Sequence, residues 1–306
     1  MAKNKIDHAP KVSFLVICYN RRRDVEICVR SILDQDYPNY EIIVIDNNSK
    51  DDTEEAFSGE LGQTPVRFFR MPENYGVSGG RNEAIARATG DILITIDDDA
   101  KLLDKDTTQR VVDKLLSDPT IGALGFKIED RDTGRPQRAY FPSRDKSRDP
   151  DIGFETTWII GAGHAIPRHV YDTVGVYRDY RPYGSEEFDL SLRILDNGYR
   201  IEYFPDARVR HAPATTGRIQ SDLRLSALKF KHRMKAATLN LPWIAVLTHI
   251  AVWSGKTLLR CRGNPAVLFF AYRDILRSFP IWIKERRPIK AETFQRIRNL
   301  RGPSYF

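Results

Sequence analysis

Apolar residues fall in short runs of strand character, separated by polar turns and by stretches of helical periodicity. Val12-Ser13-Phe14-Leu15-Val16-Ile17-Cys18 predicts a first buried strand, ending at Tyr19-Asn20 and a basic turn from Arg21 to Arg23. Val25, Cys28, Val29, Ile32 and Leu33 then recur at helical spacing, predicting a helix from about Asp24 to Leu33 with Asp24 as N-cap. Tyr37-Pro38-Asn39-Tyr40 breaks it, and Glu41 to Asp46 forms a second apolar strand that ends in an acid. Asn47-Asn48-Ser49 is a turn, followed by a helix from Asp52 to about Phe57. Val66 to Phe69 predicts a third strand, and the glycine-rich segment from Asn74 to Asn82 feeds a helix through Ala88.

The fourth strand is the most informative. Ile92-Leu93-Ile94-Thr95-Ile96 is β-branched and apolar, and it runs straight into Asp97-Asp98-Asp99. A helix over 106–117, a strand from Ile121 to Phe126 and a charged, proline-bearing loop from Glu129 to Asp151 follow. That loop reads equally as a cover for a site or as a surface excursion. Trp158 to Pro167 returns to strand character, with Gly161 and Gly163 permitting close approach of a ligand. Gly184 to Arg193 opens a helix that Ser185 can cap, ending at Asn197-Gly198, and two short strands, Ile201 to Phe204 and Ala207 to His211, flank Pro205-Asp206. Alternation of this kind predicts an α/β fold with a largely parallel sheet, whose ligands gather at the carboxyl ends of strands. Asp46 and Asp97 to Asp99 stand at such ends.

Side chains alternate along an extended chain, so Asp97 and Asp99 should share a face and Asp98 take the other. Two carboxylates on one face repel, and a hard divalent cation facing a phosphate relieves that repulsion. Buried acids without partners are costly, so the cluster should be reached by water or by an ion.

Composition adds one asymmetry. The net charge is +7, yet Arg208 to Phe306 carries 20 Lys and Arg against four Asp and Glu, leaving an acidic body ahead of a basic tail. Within that tail Leu241 to Trp253 and Pro265 to Ile283 are apolar and punctuated by Arg260, Arg262, Arg273, Arg277 and Lys284. These runs are too short to span a bilayer but suit an in-plane helix on an anionic membrane surface. A helical subdomain or a homo-oligomer contact is the alternative for the tail. No nucleic-acid module accompanies the charge, so no nucleic-acid partner is expected. Cys18, Cys28 and Cys261 are an odd set without metal spacing, and Met1 to Lys11 lacks the apolar core of a secretory signal. Both features predict a cytoplasmic chain, and the basic tail predicts a peripheral place on the inner face of the membrane.

The ordered set of motifs resembles the family 2 inverting nucleotide-sugar glycosyltransferases, most nearly a rhamnosyltransferase-like or galactofuranosyltransferase-like subgroup. The pieces are Cys18-Tyr19-Asn20; Asp46-Asn47-Asn48-Ser49 with Asp51-Asp52-Thr53; Asn74-x-Gly76-x-x-Gly79-Gly80-Arg81-Asn82; Asp97-x-Asp99; and Glu186-Glu187-x-Asp189-Leu190-x-x-Arg193, followed by Gly198-Tyr199, Pro205 and His211. Relatives commonly carry Glu-Asp where this chain has Glu186-Glu187. The resemblance implies a GT-A fold over residues 1–214, a Rossmann-like, mainly parallel sheet flanked by helices, with residues 215–306 as a helical basic extension. It implies Mn²⁺ or Mg²⁺ held by Asp97, Asp99 and His211. It further implies a UDP- or dTDP-sugar bound by Cys18, Tyr19, Asn20, Asp46, Asn48, Asn74, Gly79, Arg81, Asn82, Asp97 and Asp98. In that donor set Asp46 accepts the base imide N–H and Arg81 lies near the diphosphate. Trp158, Gly161, Ala162 and Gly163 would face a glycan or lipid-linked acceptor. Glu187 is expected to be the base, with Glu186 in reserve and Asp189 supporting. Two rival readings keep the same motifs: a nucleotidyltransferase releasing pyrophosphate, and a non-catalytic binder of sugar nucleotides or glycans.

Overall fold

A computed structural model describes residues 9–63, 65–211 and 223–300. The elements run β1 (Val12–Cys18), α1 (Arg22–Leu33), β2 (Tyr40–Asp46), α2 (Thr53–Ala56), β3 (Val66–Arg70), α3 (Gly76–Arg87), β4 (Ile92–Ile96), β5 (Ala100–Leu102), α4 (Thr107–Ser117), β6 (Ile121–Asp130), β7 (Phe154–Thr156) and β8 (Gly163–Pro167). They continue as α5 (Arg168–Val174), α6 (Glu186–Asp196), β9 (Arg200–His211), α7 (Leu223–Asn240), α8 (Trp243–Arg260), α9 (Ala266–Glu285) and α10 (Ala291–Leu300).

One sheet has the order β3-β2-β1-β4-β8-β6-β9-β5, with β7 on β9. The four strands from β3 to β4 are mutually parallel, as the alternating pattern predicts. Beyond β4 the sheet is mixed: β8 runs antiparallel to both β4 and β6, β9 lies parallel to β6, and β5 and β7 run against β9. Both faces are covered. Phe14 and Val16 enter one core with Val25, Val29 and Val111, while Leu15, Ile43 and Ile45 enter the other with Ala84, Ile166 and Leu190. Burial on both faces is why these strands read as continuous apolar runs.

Several boundaries differ from the pattern. The residue before α1 is Arg21, and Asp24 falls inside the first turn rather than capping it. Ser185 precedes α6 in the left-handed region, φ 77°, with no side-chain cap; Glu186 instead turns back and accepts the Gly184 N–H. Only Gly163–Pro167 of the apolar 158–167 run is strand. The two short strands near Pro205 are one strand, β9, in which a register shift against β6 between Phe126 and Lys127 absorbs the Pro-Asp segment.

The expected domain junction at residue 214 lies outside the described residues. Past it, α7 packs on α6, α8 and α9, and Phe230, Met234, Leu239, Val267, Ala271 and Trp282 form a third core. The join to the sheet is polar. Asp189 of α6 is fully buried and accepts from Arg178 (2.6 Å), Arg193 (3.0 Å), the Tyr180 hydroxyl (3.2 Å) and Asn240 of α7 (2.7 Å). No described helix is long and apolar enough to cross a membrane. The outer sides of α8 and α9 nevertheless expose Ile244, Leu247, Leu259, Phe269, Leu276 and Ile281.

Asp189→Ala leaves two guanidiniums without their shared carboxylate. Urea unfolding should show a loss of about 3–5 kcal/mol, the usual consequence of removing one partner of a buried ion pair.

Candidate active site

The carboxyl ends of β1, β2 and β4 face a cavity of about 620 Å³, whose other walls come from the segment before β8, the start of α6, α7 and the loop after β6. That loop is therefore part of the site: Tyr140, Phe141 and Lys146 line the cavity.

β4 stops at Ile96, and the Ala100 N–H closes a turn onto the Asp97 carbonyl at 3.0 Å. Ala100 then pairs with His211 across β5 and β9, which brings an imidazole 112 positions away in sequence against the acids. His211 Nε2 lies 3.2 Å from Asp99 Oδ1, and one ligand atom from each of Asp97, Asp99 and His211 falls within 4.8 Å of the others. His211 Nδ1 faces Gln137 Oε1 at 3.5 Å, which suits the tautomer that leaves the Nε2 lone pair toward the acids. Asp98 stands apart and accepts from Arg21 at 2.7 Å, while the same Arg21 nitrogen reaches Asp99 Oδ2 at 3.1 Å. Burial pushes Asp98 up to about 7 against the pull of Arg21. Burial also raises Asp97, opposed by Arg81 and reinforced by Asp99.

Arg81 of α3 does not stand free for a phosphate. It is 2% exposed, with Nη1 donating to Glu187 Oε1 at 2.7 Å and Nη2 donating to Asp97 Oδ1 and the Gly161 carbonyl, each at 3.2 Å. Its guanidinium lies 5.4 Å over the Tyr177 ring. One buried fork thus ties Asp97 to the carboxylate expected to be the base. Gly161 is what permits this: a Cβ there would come within 2.5 Å of Glu187 Oε1. The sequence suggests a ligand against this glycine; in the structure the group closest to it is the Glu187 carboxylate.

Glu186 and Glu187 both line the cavity but differ in setting. Glu186 is buried, and desolvation with the neighbouring Glu187 charge pushes it up to about 8, so it holds its proton at neutral pH. Glu187 is 15% exposed at its side chain, and its Oε2 has no partner among the described residues.

Other expected positions divide clearly. Cys18, Tyr19, Asn74, Trp158 and Ala162 line the cavity together with Asp97, Asp98 and Asp99. Asp46 does not: its carboxylate is fully buried and closed on the Ser49 N–H at 3.1 Å and on the Ser49 hydroxyl, so it braces the turn. Asn47, a turn residue by its sequence, takes the wall position. Its Nδ2 donates to the Gly76 carbonyl at 3.1 Å, and its Oδ1 is buried without a partner. Asn20 and Asn48 hold backbone contacts at Lys50 and Pro72 instead of lining the cavity. Asn82 clamps both backbone groups of Tyr177, and Gly79 and Gly163 serve packing against Tyr75 and Phe126. Asp189 supports from behind, as described above. Arg21, Tyr183 and Lys229 were also missed; they belong to distant segments that only folding assembles.

A family model described as Glycosyl transferase family 2 matches residues 13–175, more than half of the chain. The chain belongs to that family. An uncharacterized protein of Haemophilus influenzae is 32% identical over 159 residues, covering 51% of this chain and 86% of that protein. A GalNAc(5)-diNAcBac-PP-undecaprenol β-1,3-glucosyltransferase of Campylobacter jejuni is 35% identical over 97 residues, so the match spans 31% of each chain. Among solved structures, a mannosyltransferase from Pyrobaculum calidifontis in complex with GDP-Man and Mn²⁺ superposes with a TM-score of 0.59 at 22% identity, covering 90% of this chain and 76% of that one. Such a likeness establishes the fold, and it agrees with the GT-A architecture that the family 2 motifs imply.

The raised Glu186 gives a stability signature. Its folded value exceeds the unfolded one, near 4.5, so between there and about 8 the native state binds the extra proton and stability falls as pH rises. Glu186→Gln removes this penalty. Its melting temperature relative to wild type should climb between pH 5 and 8 and level off above; a pH-independent difference would contradict the assignment.

Proposed function

We propose that this chain is a metal-dependent, inverting transferase that moves a hexosyl or deoxyhexosyl group from a UDP- or dTDP-sugar to a glycan or lipid-linked acceptor in cell-surface polysaccharide synthesis. The observation that carries the reading is one cavity in which a carboxylate, carboxylate and imidazole set sits beside a second carboxylate, tied to the first by Arg81. Family membership and the glucosyltransferase activity of the Campylobacter relative support it.

The donor set formed by Asp97, Asp99 and His211 fits Mn²⁺ or Mg²⁺, with the imidazole favouring Mn²⁺. A bound ion would supply charge neutralisation for the departing nucleoside diphosphate. The rest falls to side chains. Asn47 Oδ1, an unpartnered carbonyl oxygen at the wall, accepts the single N–H of a uracil or thymine in place of Asp46. Trp158 offers an aromatic face to the acceptor sugar. Glu187 Oε2 accepts the hydroxyl proton as the acceptor oxygen bonds to the anomeric carbon and the bond to the phosphate oxygen breaks. Arg81 fixes the other oxygen of Glu187, so the base reaches in one direction. Glu186, protonated at neutral pH, does not compete for that proton.

We also place the protein at an anionic membrane surface through α8 and α9, whose exposed apolar side chains alternate with Arg260, Arg273, Arg277 and Lys284.

Three outcomes are expected. A screen of nucleotide sugars with Mn²⁺ should identify a donor whose hydrolysis or transfer stops on chelation, and Asp99→Asn should abolish that turnover with the fold intact. Glu187→Gln should leave donor binding unchanged and slow transfer about 10²–10⁴-fold; full activity would reject it as the base. Wild type should float with phosphatidylglycerol vesicles, and Leu259→Glu with Leu276→Glu should remain in the pellet fraction.

A further inference from the structure

Behind the Trp158 wall lies a charge that the proposed chemistry does not use. Arg233 of α7 is 5% exposed, and among the described residues no carboxylate pairs with it. Its Nε donates to His249 Nε2 at 3.3 Å, and its Nη2 is buried without a partner. The imidazole brings no countercharge, since burial and Arg233 itself hold His249 down to about 3. Aromatic faces surround the guanidinium: Phe188, Trp253 and Trp158 have ring centroids 3.9, 4.6 and 5.4 Å from it. Such contacts ease a buried cation but do not neutralise it. Burial accordingly pushes Arg233 down to about 9.

More positive charge gathers at the same indole. Lys256 and Arg260 of α8 stand 4.9 and 5.8 Å from the Trp253 ring centroid. Burial, then Arg260, Arg233 and Arg144 from the loop after β6, hold Lys256 below its ordinary range. Trp253 Nε1 is itself a buried donor without an acceptor. A line of cations therefore leads from the cavity wall at Trp158, through Arg233 and Trp253, to Lys256 and Arg260. There Leu259, 80% exposed, begins the apolar outer side of the helices. Two orphaned N–H donors and converging cations match the needs of a phosphate group, whose oxygens accept from guanidinium, ammonium and indole alike.

We propose that the cluster around Trp253 holds the phosphate of the acceptor, which makes the acceptor a lipid-linked sugar phosphate or diphosphate. Its lipid lies along α8 and α9, and its sugar passes Trp158 to reach Glu187. This rests on the transferase reading above and narrows the acceptor it left open.

The test uses the full chain, with farnesyl diphosphate as probe and farnesol as its uncharged counterpart. Chelator is present so that no ion at Asp97, Asp99 and His211 can capture the diphosphate. Isothermal titration should show farnesyl diphosphate binding at least tenfold more tightly than farnesol. Lys256→Ala with Arg260→Ala should weaken the diphosphate at least tenfold while leaving Mn²⁺-dependent UDP binding unchanged. Arg260 is exposed and Lys256 only half-buried, so this variant remains folded even where Arg233→Met does not. Equal affinity for the two probes, or an unaltered diphosphate affinity in the double variant, overturns the proposal. So does a variant that loses only its binding to phosphatidylglycerol vesicles, which would make the cluster a headgroup site. Failure of the transferase reading would register separately, as a wild-type chain that binds neither Mn²⁺ nor UDP.

Discussion

The site depends on holding five carboxyl groups, Asp97, Asp98, Asp99, Glu186 and Glu187, around one cavity with Arg21 and Arg81 as the guanidiniums paired to them. Left alone, that many acids in a partly dry space would repel one another or take up protons. The fold divides the problem. Arg21 holds Asp98 and one oxygen of Asp99, Arg81 joins Asp97 to Glu187, and Glu186 is buried deeply enough to stay protonated. What remains is the second oxygen of Asp99 beside His211, with Asp97 close by, a residual acidity suited to a divalent ion.

Topology places these groups. The parallel run from β3 to β4 delivers the ends of β1, β2 and β4 to one side, and the reversal at β8 sets Gly161 and Ala162 next to the acids leaving β4. Pairing of β5 with β9 is the step that carries His211 to Asp99. The C-terminal helices are not a loose appendage to this arrangement. Asn240 of α7 shares Asp189 with Arg178 and Arg193 of the sheet-bound body, one turn along α6 from Glu186, so the helices and the cavity are braced through the same buried carboxylate.

Much of this was legible in the chain because it is written in local pattern. Apolar runs gave the parallel strands, and alternation separated Asp98 from Asp97 and Asp99 even though all three lie in a turn beyond β4. Where the structure departs from the local pattern, the cause is mostly contact between distant segments. Asp46 is the local exception: Ser49, three positions on, closes on its carboxylate, while the neighbouring Asn47 lines the cavity wall. Arg81 reads as a phosphate ligand because its partners, 16 and 106 positions away, cannot be seen from the motif that contains it. In sequence Arg233 is one basic residue among the many of the tail, and only the packing of α7 on α8 and α6 buries it among aromatic rings.

We propose that Asp97, Asp99 and His211 form one divalent-metal site serving a nucleotide. It is tested most directly by pulsed electron paramagnetic resonance of Mn²⁺ titrated into the protein with UDP. The account requires one tightly held Mn²⁺ per chain, showing phosphorus coupling from the nucleotide and nitrogen coupling from an imidazole, with the nitrogen signal absent in His211→Ala. Weakly held Mn²⁺ without either coupling, or a nitrogen signal that survives the substitution, would contradict it.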